Sequence, residues 1–316
     1  MRFLLMLLMP GVAPPVDVKP LFATEAVGTD PDDPAIWVNR KNPAKSWILG
    51  TDKTAAPNGS LTVFDLKGKK QQVSGNLDRP NNVDVEYDLG GHDIAVVTER
   101  YKNQLRIYKV DKKGLEEWGQ VSVFEAPMGI ALYKRPRDEA VFAIVGRKKG
   151  PQTGYLWQYR LEVEGGRIKA TKVREFGNFS GSKEIEAIAV DDARGHVYYA
   201  DEDFGIRKWH ADPEHPKANK EIAVFGREGF KGNREGIAIV AGKKGEGYIV
   251  CTDQIAGNSE YRMYRRYGKQ KLVRVVRGGA DSTDGLEINN ELGLMVAMNS
   301  SSHNFLVFDL RQVTGR

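Results

Sequence analysis

Three aspartates fall within four positions, Asp30, Asp32 and Asp33, in the stretch GTDPDDPAIW (28–37). Carboxylates this close raise one another's pKa and destabilise a fold unless a cation shares them. Further oxygen-bearing residues head later apolar runs: Asn81 and Asn82, Glu186, Glu235 and Asp284. Carboxylates, amides and carbonyls are the ligands of a hard divalent cation such as calcium, which takes roughly six to eight of them. Pro34 has no N–H to donate but still offers its carbonyl. Basic residues recur as well. Lys53, Arg100 and Arg147 stand at the ends of apolar runs in three successive segments. Arginine grips phosphate with a planar fork, lysine with a point charge. Metal, arginine and lysine together equip a site for phosphoryl oxygens. Taken singly, each acid could cap turn amides and each base could be a solvated surface residue. Recurrence at matched positions is what points to a shared site.

No nucleophile stands out. The five histidines are His92, His196, His210, His215 and His303, and none falls at the leading positions that would face the channel mouth. The sequence lacks GxSxG, a P-loop, HExxH, CxxC and a GxGxxG in a Rossmann context. Cys251, the sole cysteine, lies in the apolar run YIVCTD; it reads as a core residue and leaves no intramolecular disulfide possible. Catalysis on this chain would therefore use metal-activated water.

These residues are far apart in the chain, so the fold must gather them. Six similar segments begin at Asp33, Asn82, Met128, Glu186, Glu235 and Asp284, with gaps of 49, 46, 58, 49 and 49 residues. Each continues into a second apolar run (47–52, 94–100, 141–147, 197–203, 248–254, 294–300) and an alternating third (61–68, 105–111, 156–163, 206–212, 261–268, 305–312). Five segments carry a fourth strand: QQVSGNL, VSVFEA, KVREFGNF, IAVFGR and LVRVVRG. The sixth runs out of chain, while an orphan strand, PLFATEAV (20–27), precedes the first. This period predicts an all-β fold, a six-bladed β-propeller of four-stranded blades over residues 20–313. The N-terminal strand would close the last blade and leave no unpaired edge. The first strand of each blade would be innermost, so its leading residue would sit at the mouth of the central channel.

Composition agrees with a globular protein: 41% hydrophobic and 28% charged residues, with a net charge of +5. The basic residues are scattered rather than striped, which argues against a nucleic-acid partner. The start, MRFLLMLLMPGVAPP, predicts a signal peptide over residues 1–15 and a secreted or periplasmic protein. It is too short to span a bilayer, and no other segment is apolar enough. The expected assembly is a monomer.

The pair DDPAIW (32–37) and NNVDVEY (81–87), with IAVDDARGHVYYADED (188–203), REGIAIV (234–240) and STDGLEI (282–288), resembles the β-propeller phytases. These are six-bladed, calcium-dependent, secreted bacterial enzymes that remove phosphate from inositol hexakisphosphate (phytate). The similarity runs from about Glu25 to Leu310. It implies several bound calcium ions and a calcium-phytate substrate. Asp32, Asn81, Glu186, Glu235 and Asp284 would belong to the catalytic calcium cluster. Asp33 and the carbonyls of Pro34 and Val83 would hold a stabilising calcium. Lys53, Arg100 and Arg147 would grip the scissile phosphate, and Glu25 would add a carboxylate. Glu186, Glu235, Lys53 and Arg100 would be the catalytic set. Four departures weaken the match: Met128 where the family has tyrosine, Thr54 where it has a second lysine, Asn233 where it has aspartate, and a shortened acidic loop, GADSTDG (279–285). Two other readings stay open: a non-catalytic, calcium-stabilised propeller that binds an anionic ligand or protein, and a lactonase-like propeller hydrolase.

Overall fold

The computed structural model describes residues 13–315; the expected signal peptide lies almost wholly outside them. Six sheets follow one another along the chain, each built on four antiparallel strands. Their inner strands are Pro31–Trp37, Pro80–Leu89, Pro127–Lys134, Ile188–Asp191, Asn233–Ala241 and Leu286–Asn289. Each blade runs inner to outer in chain order, except that the sixth takes its outer strand from the N-terminus. The six-bladed, four-stranded propeller is therefore the observed fold.

The sequence pattern explains the packing. Inner and second strands read as nearly continuous apolar runs because a blade is covered on both faces by its neighbours. Ile94, Ala95, Val96 and Val97 are all fully buried. Ala35, Leu49, Leu61, Val63 and Leu77 of blade 1 meet Val83, Ala95, Val97 and Tyr108 of blade 2 in one such interface. The outer strand KQQVSGNL (70–77) is polar and mostly exposed instead, with only Leu77 buried, because its edge faces water.

One N-terminal strand closes the ring, as expected, and a second extends blade 5. Phe22–Ala23 pairs antiparallel with Asn304–Asp309, as the orphan strand predicted. Upstream of it, Val16–Asp17 pairs in parallel with Leu272–Arg277, the outer strand of blade 5. At the seam between blades 6 and 1, Phe305 meets Phe64 edge to face, with ring centroids 6.3 Å apart. Gly50 makes room for it: a Cβ there would lie 2.2 Å from the Phe305 ring. Truncating a fully buried phenylalanine of this kind costs about 3–5 kcal/mol.

Two further boundaries differ from expectation. The outer strand of blade 2 is Gly114–Ser122, not 121–126, because a tight turn at Lys112–Gly114 folds the chain back at once onto Gln104–Asp111. The third strand of blade 6 ends at Asp309, whose carboxylate accepts from Arg311 N at 2.8 Å and starts the short helix Leu310–Thr314.

Candidate active site

The inner strands share a local irregularity that aims side chains into the channel mouth. In blade 1 the pairing jumps from Pro31 to Pro34, in blade 2 from Pro80 to Val83, in blade 3 from Pro127 to Ile130, and in blade 5 from Arg234 to Ile237. Two residues per blade leave the ladder: Asp32–Asp33, Asn81–Asn82, Met128–Gly129 and Glu235–Gly236. Bulges of this kind re-aim side chains beside functional sites. In blades 4 and 6 the inner strand starts later, and Glu186 and Asp284 stand in its lead-in.

Buried threonines lock this geometry from blade to blade. Thr51 Oγ1 accepts from Asp33 N at 3.0 Å and donates to Asn81 O of the next blade at 2.6 Å. Thr98 repeats the device, accepting from Asn82 N at 3.1 Å and donating to Met128 O. Across the seam, Gly285 N donates to Asp32 O at 3.0 Å. Gly129 permits a similarly close approach, since a Cβ there would lie 1.6 Å from Glu186 O.

The expected acids do converge. Lys53 Nζ bridges Asp32 Oδ1 at 2.8 Å and Asp284 Oδ2 at 2.7 Å. Asn81 Nδ2 donates to Asp32 Oδ2 at 3.0 Å and to Glu186 Oε1 at 2.8 Å. Burial pushes the Asp32 carboxyl well up; Lys53 opposes this, while Glu186 and Asp284 add to it. Glu235 is pushed well up by burial, then by Glu186, Glu202 and Asp284. Burial alone would lower Lys53, but Asp32, Asp284 and Glu186 outweigh it and raise its pKa. A single ammonium thus stands against four carboxylates, and the excess negative charge is what a divalent cation would neutralise.

Three acids or amides were not anticipated. Glu184, Glu186 and Glu202 bring carboxylate oxygens within 4.8 Å of one another. Glu202 is 3% exposed, and burial together with Glu184 and Glu186 pushes it up to about 8. Gln254 Nε2 donates to Asp284 Oδ1. The signals were there: Glu184 lies two positions before Glu186, and Glu202 and Gln254 stand at the ends of second strands as Lys53 and Arg100 do. Buried oxygens without hydrogen-bond partners include Asn81 Oδ1, Glu184 Oε2 and Glu202 Oε1. Such all-oxygen donors, left unsatisfied in a buried site, fit a hard cation.

The basic residues divide differently from expectation. Lys53 N donates to Asp30 O, Arg100 N to Arg79 O and Lys148 N to Ala126 O, at 2.8, 3.1 and 2.9 Å. Arg147 instead pairs with Pro127, as Asp52 does with Pro31 and Glu99 with Pro80. Lys148, not Arg147, therefore occupies the place of Lys53 and Arg100, and its Nζ lies 2.5 Å from Glu184 Oε1. Arg147 is turned onto the rings of Phe124 and Trp157, 4.3 and 4.8 Å from their centroids, with its Nε on Tyr155 O. Arg100 faces the Met128 sulfur through Nη2, and its Nε is buried without a partner. Glu25 is away from the mouth, bonded to Lys70 N at 2.7 Å and Lys69 Nζ at 3.3 Å on the outer surface. Asn233 is bound by Lys183 Nζ.

Below the mouth, a cavity of about 660 Å³ is bounded by residues of all six blades. Asp33, Pro34 and Val83 line it together, and Asp33 Oδ2 accepts from Val83 N at 3.1 Å.

The family model described as Phytase matches residues 15–293. This chain belongs to the phytase family. It is accordingly a phosphoric monoester hydrolase. The 3-phytase of Bacillus subtilis (strain 168) is 32% identical over 283 residues, covering 81% of this chain and 69% of that protein. Among solved structures, hydrazine synthase of Kuenenia stuttgartiensis superposes with a TM-score of 0.55 at 12% identity, covering 95% of this chain and 98% of that one. That likeness concerns the fold alone. Within the phytase family match fall all the acids gathered at the mouth and all the bases around them.

Proposed function

We propose that this phytase-family protein is a calcium-dependent phosphomonoesterase acting on phytate or related phosphate esters through attack by water. The observation that carries the reading is the group of buried, unpartnered oxygens on Asn81, Glu184 and Glu202, set beside Lys53 and Arg100. Asp32, Asn81, Glu186, Glu202, Glu235 and Asp284 would hold the metal of the cluster, and Asp33 with Pro34 and Val83 a stabilising ion. Calcium bound there would polarise phosphoryl oxygens and activate water.

The chain's own residues supply the rest. Lys53, already shared between two carboxylates, offers its ammonium to an arriving phosphate that competes for it. Arg100 presents a guanidinium whose Nη2 faces the Met128 thioether and whose charge acts on Glu186. Lys148 brings a third cation from the next blade. Together they neutralise charge that builds on the phosphoryl oxygens. Among the described residues the cluster contains no serine, cysteine or histidine, and its carboxylates are turned to Lys53 and Asn81, which supports attack by water in place of a side-chain nucleophile. The test is release of inorganic phosphate from calcium-phytate with and without EDTA. Abolition by the chelator is expected; release that continues unchanged rejects the calcium-dependent reading.

A further inference from the structure

Arg79 lies between the two basic loops of the mouth and ties them together. Its N–H donates to Thr54 O at 3.1 Å, and its carbonyl accepts from Arg100 N at 3.1 Å. Thr54 follows Lys53, so one backbone link joins the lysine of blade 1 to the arginine of blade 2. Arg79 holds φ +57°, in the left-handed region that glycine or asparagine occupies at least cost. Ala126, its counterpart before the inner strand of blade 3, is also left-handed, at φ +51°. Backbone geometry thus explains the turn but not the choice of arginine.

The side chain supplies a reason. Arg79 Nε is buried without a hydrogen-bond partner. The acid beside it, Asp30, is 3.9 Å from Nη1, too far for a hydrogen bond. Lys53 and Lys148, by contrast, are closely paired at 2.5–2.8 Å. Thr54 Oγ1 is likewise buried and unpartnered. Tyr101, 57% exposed in its side-chain-bearing residue, flanks the guanidinium with its ring centroid 5.9 Å away. A guanidinium with an unused Nε donor, on a turn whose backbone is bonded to the loops that carry Lys53 and Arg100, is suited to a phosphate oxygen.

We propose that Arg79 is a substrate-binding residue of this site, and that its guanidinium makes the enzyme discriminate between phosphate esters by the number of phosphates they carry. The inference rests on the phosphomonoesterase reading for its chemistry, but its test does not need turnover. Arg79→Asn keeps the left-handed turn and removes the charge; Arg79→Lys restores the charge without the fork. Calorimetric affinity for myo-inositol hexakisphosphate and for 4-nitrophenyl phosphate, both in calcium, is measured beside KM and thermal midpoint. Arg79→Asn should weaken hexakisphosphate binding about tenfold, the loss of a charge-assisted hydrogen bond. It should leave 4-nitrophenyl phosphate within about twofold, with the midpoint unchanged or raised. Arg79→Lys should recover part of the affinity. Equal losses on both ligands, no loss on the hexakisphosphate, or a loss that lysine does not repair would overturn the proposal. Wild type that binds both ligands and hydrolyses neither would reject the phosphomonoesterase reading, while the affinity ratio still decides the role of Arg79.

Discussion

Replacing Glu186 with glutamine should stabilise the protein in EDTA and impair it in calcium. Asp32 and Glu186 both accept from Asn81 Nδ2, at 3.0 and 2.8 Å, so the two carboxylate oxygens are at most 5.8 Å apart. With an effective dielectric near 20, two unit charges at that separation repel by about 3 kcal/mol. Glutamine keeps an oxygen for Asn81 and removes the repulsion. For a domain of this size, that is a rise of about 6 °C in thermal midpoint without metal. The gain shrinks where one carboxyl is already protonated, so pH 8 or above is the condition to use. In calcium the order should reverse. An ion at a hundred times its dissociation constant stabilises the wild type by about 2.7 kcal/mol per site, and the variant, one carboxylate short, loses much of that. Phosphate release should fall at least tenfold. Paired melting curves in EDTA and in calcium test the reasoning directly. A variant that melts below wild type in EDTA, or that keeps the same rank in both buffers, would show that the acids do not meet as shared ligands.

Two other outcomes follow from the site. In EDTA, burial is the leading cause that raises Asp84 to about 6, Glu86 to about 7 and Glu202 to about 8, all above their unfolded values. Groups raised in this way favour the fold when protonated, so the melting temperature should be highest near pH 4–5 and fall as pH climbs through 6 to 8; calcium should flatten the decline, and a midpoint that rises over that range in EDTA would refute it. Lys148→Ala should lower phosphate release about tenfold, whereas Arg147→Ala should mainly lower stability, by about 1 kcal/mol of lost stacking on Phe124 and Trp157; assays of rate and melting on both variants check the ranking.

The ring was legible because its signal repeats: apolar inner strands and alternating third ones recur about every fifty residues. Convergence of Asp32, Asn81, Glu186, Glu235 and Asp284 was legible for the same reason. What escaped were features without period. Val16–Asp17 is a two-residue parallel addition with no alternation to mark it. The outer strand of blade 2 was misplaced because Val121 and Val123 look more strand-like than GLEEWGQVS, which pairs through its backbone. Arg147 was preferred to Lys148 because the two are adjacent and both basic; only ladder register separates them. Glu184 and Glu202 escape a reading that looks for donors only at the heads of the inner strands, whereas blade 4 offers three carboxylates, two of them off that position.

The seam at Phe305 has a consequence for how the molecule comes to exist. Phe305 N bonds Thr24 Oγ1 at 3.0 Å across 281 residues of chain. Drawing together ends so distant costs about 5 kcal/mol of loop entropy, and none of it can be recovered until the last blade has left the ribosome. Through synthesis the earlier blades must wait with an open flank, and the acids at the mouth cannot all face one another. Catalytic competence therefore arrives in one late step, when the oldest part of the chain meets the youngest.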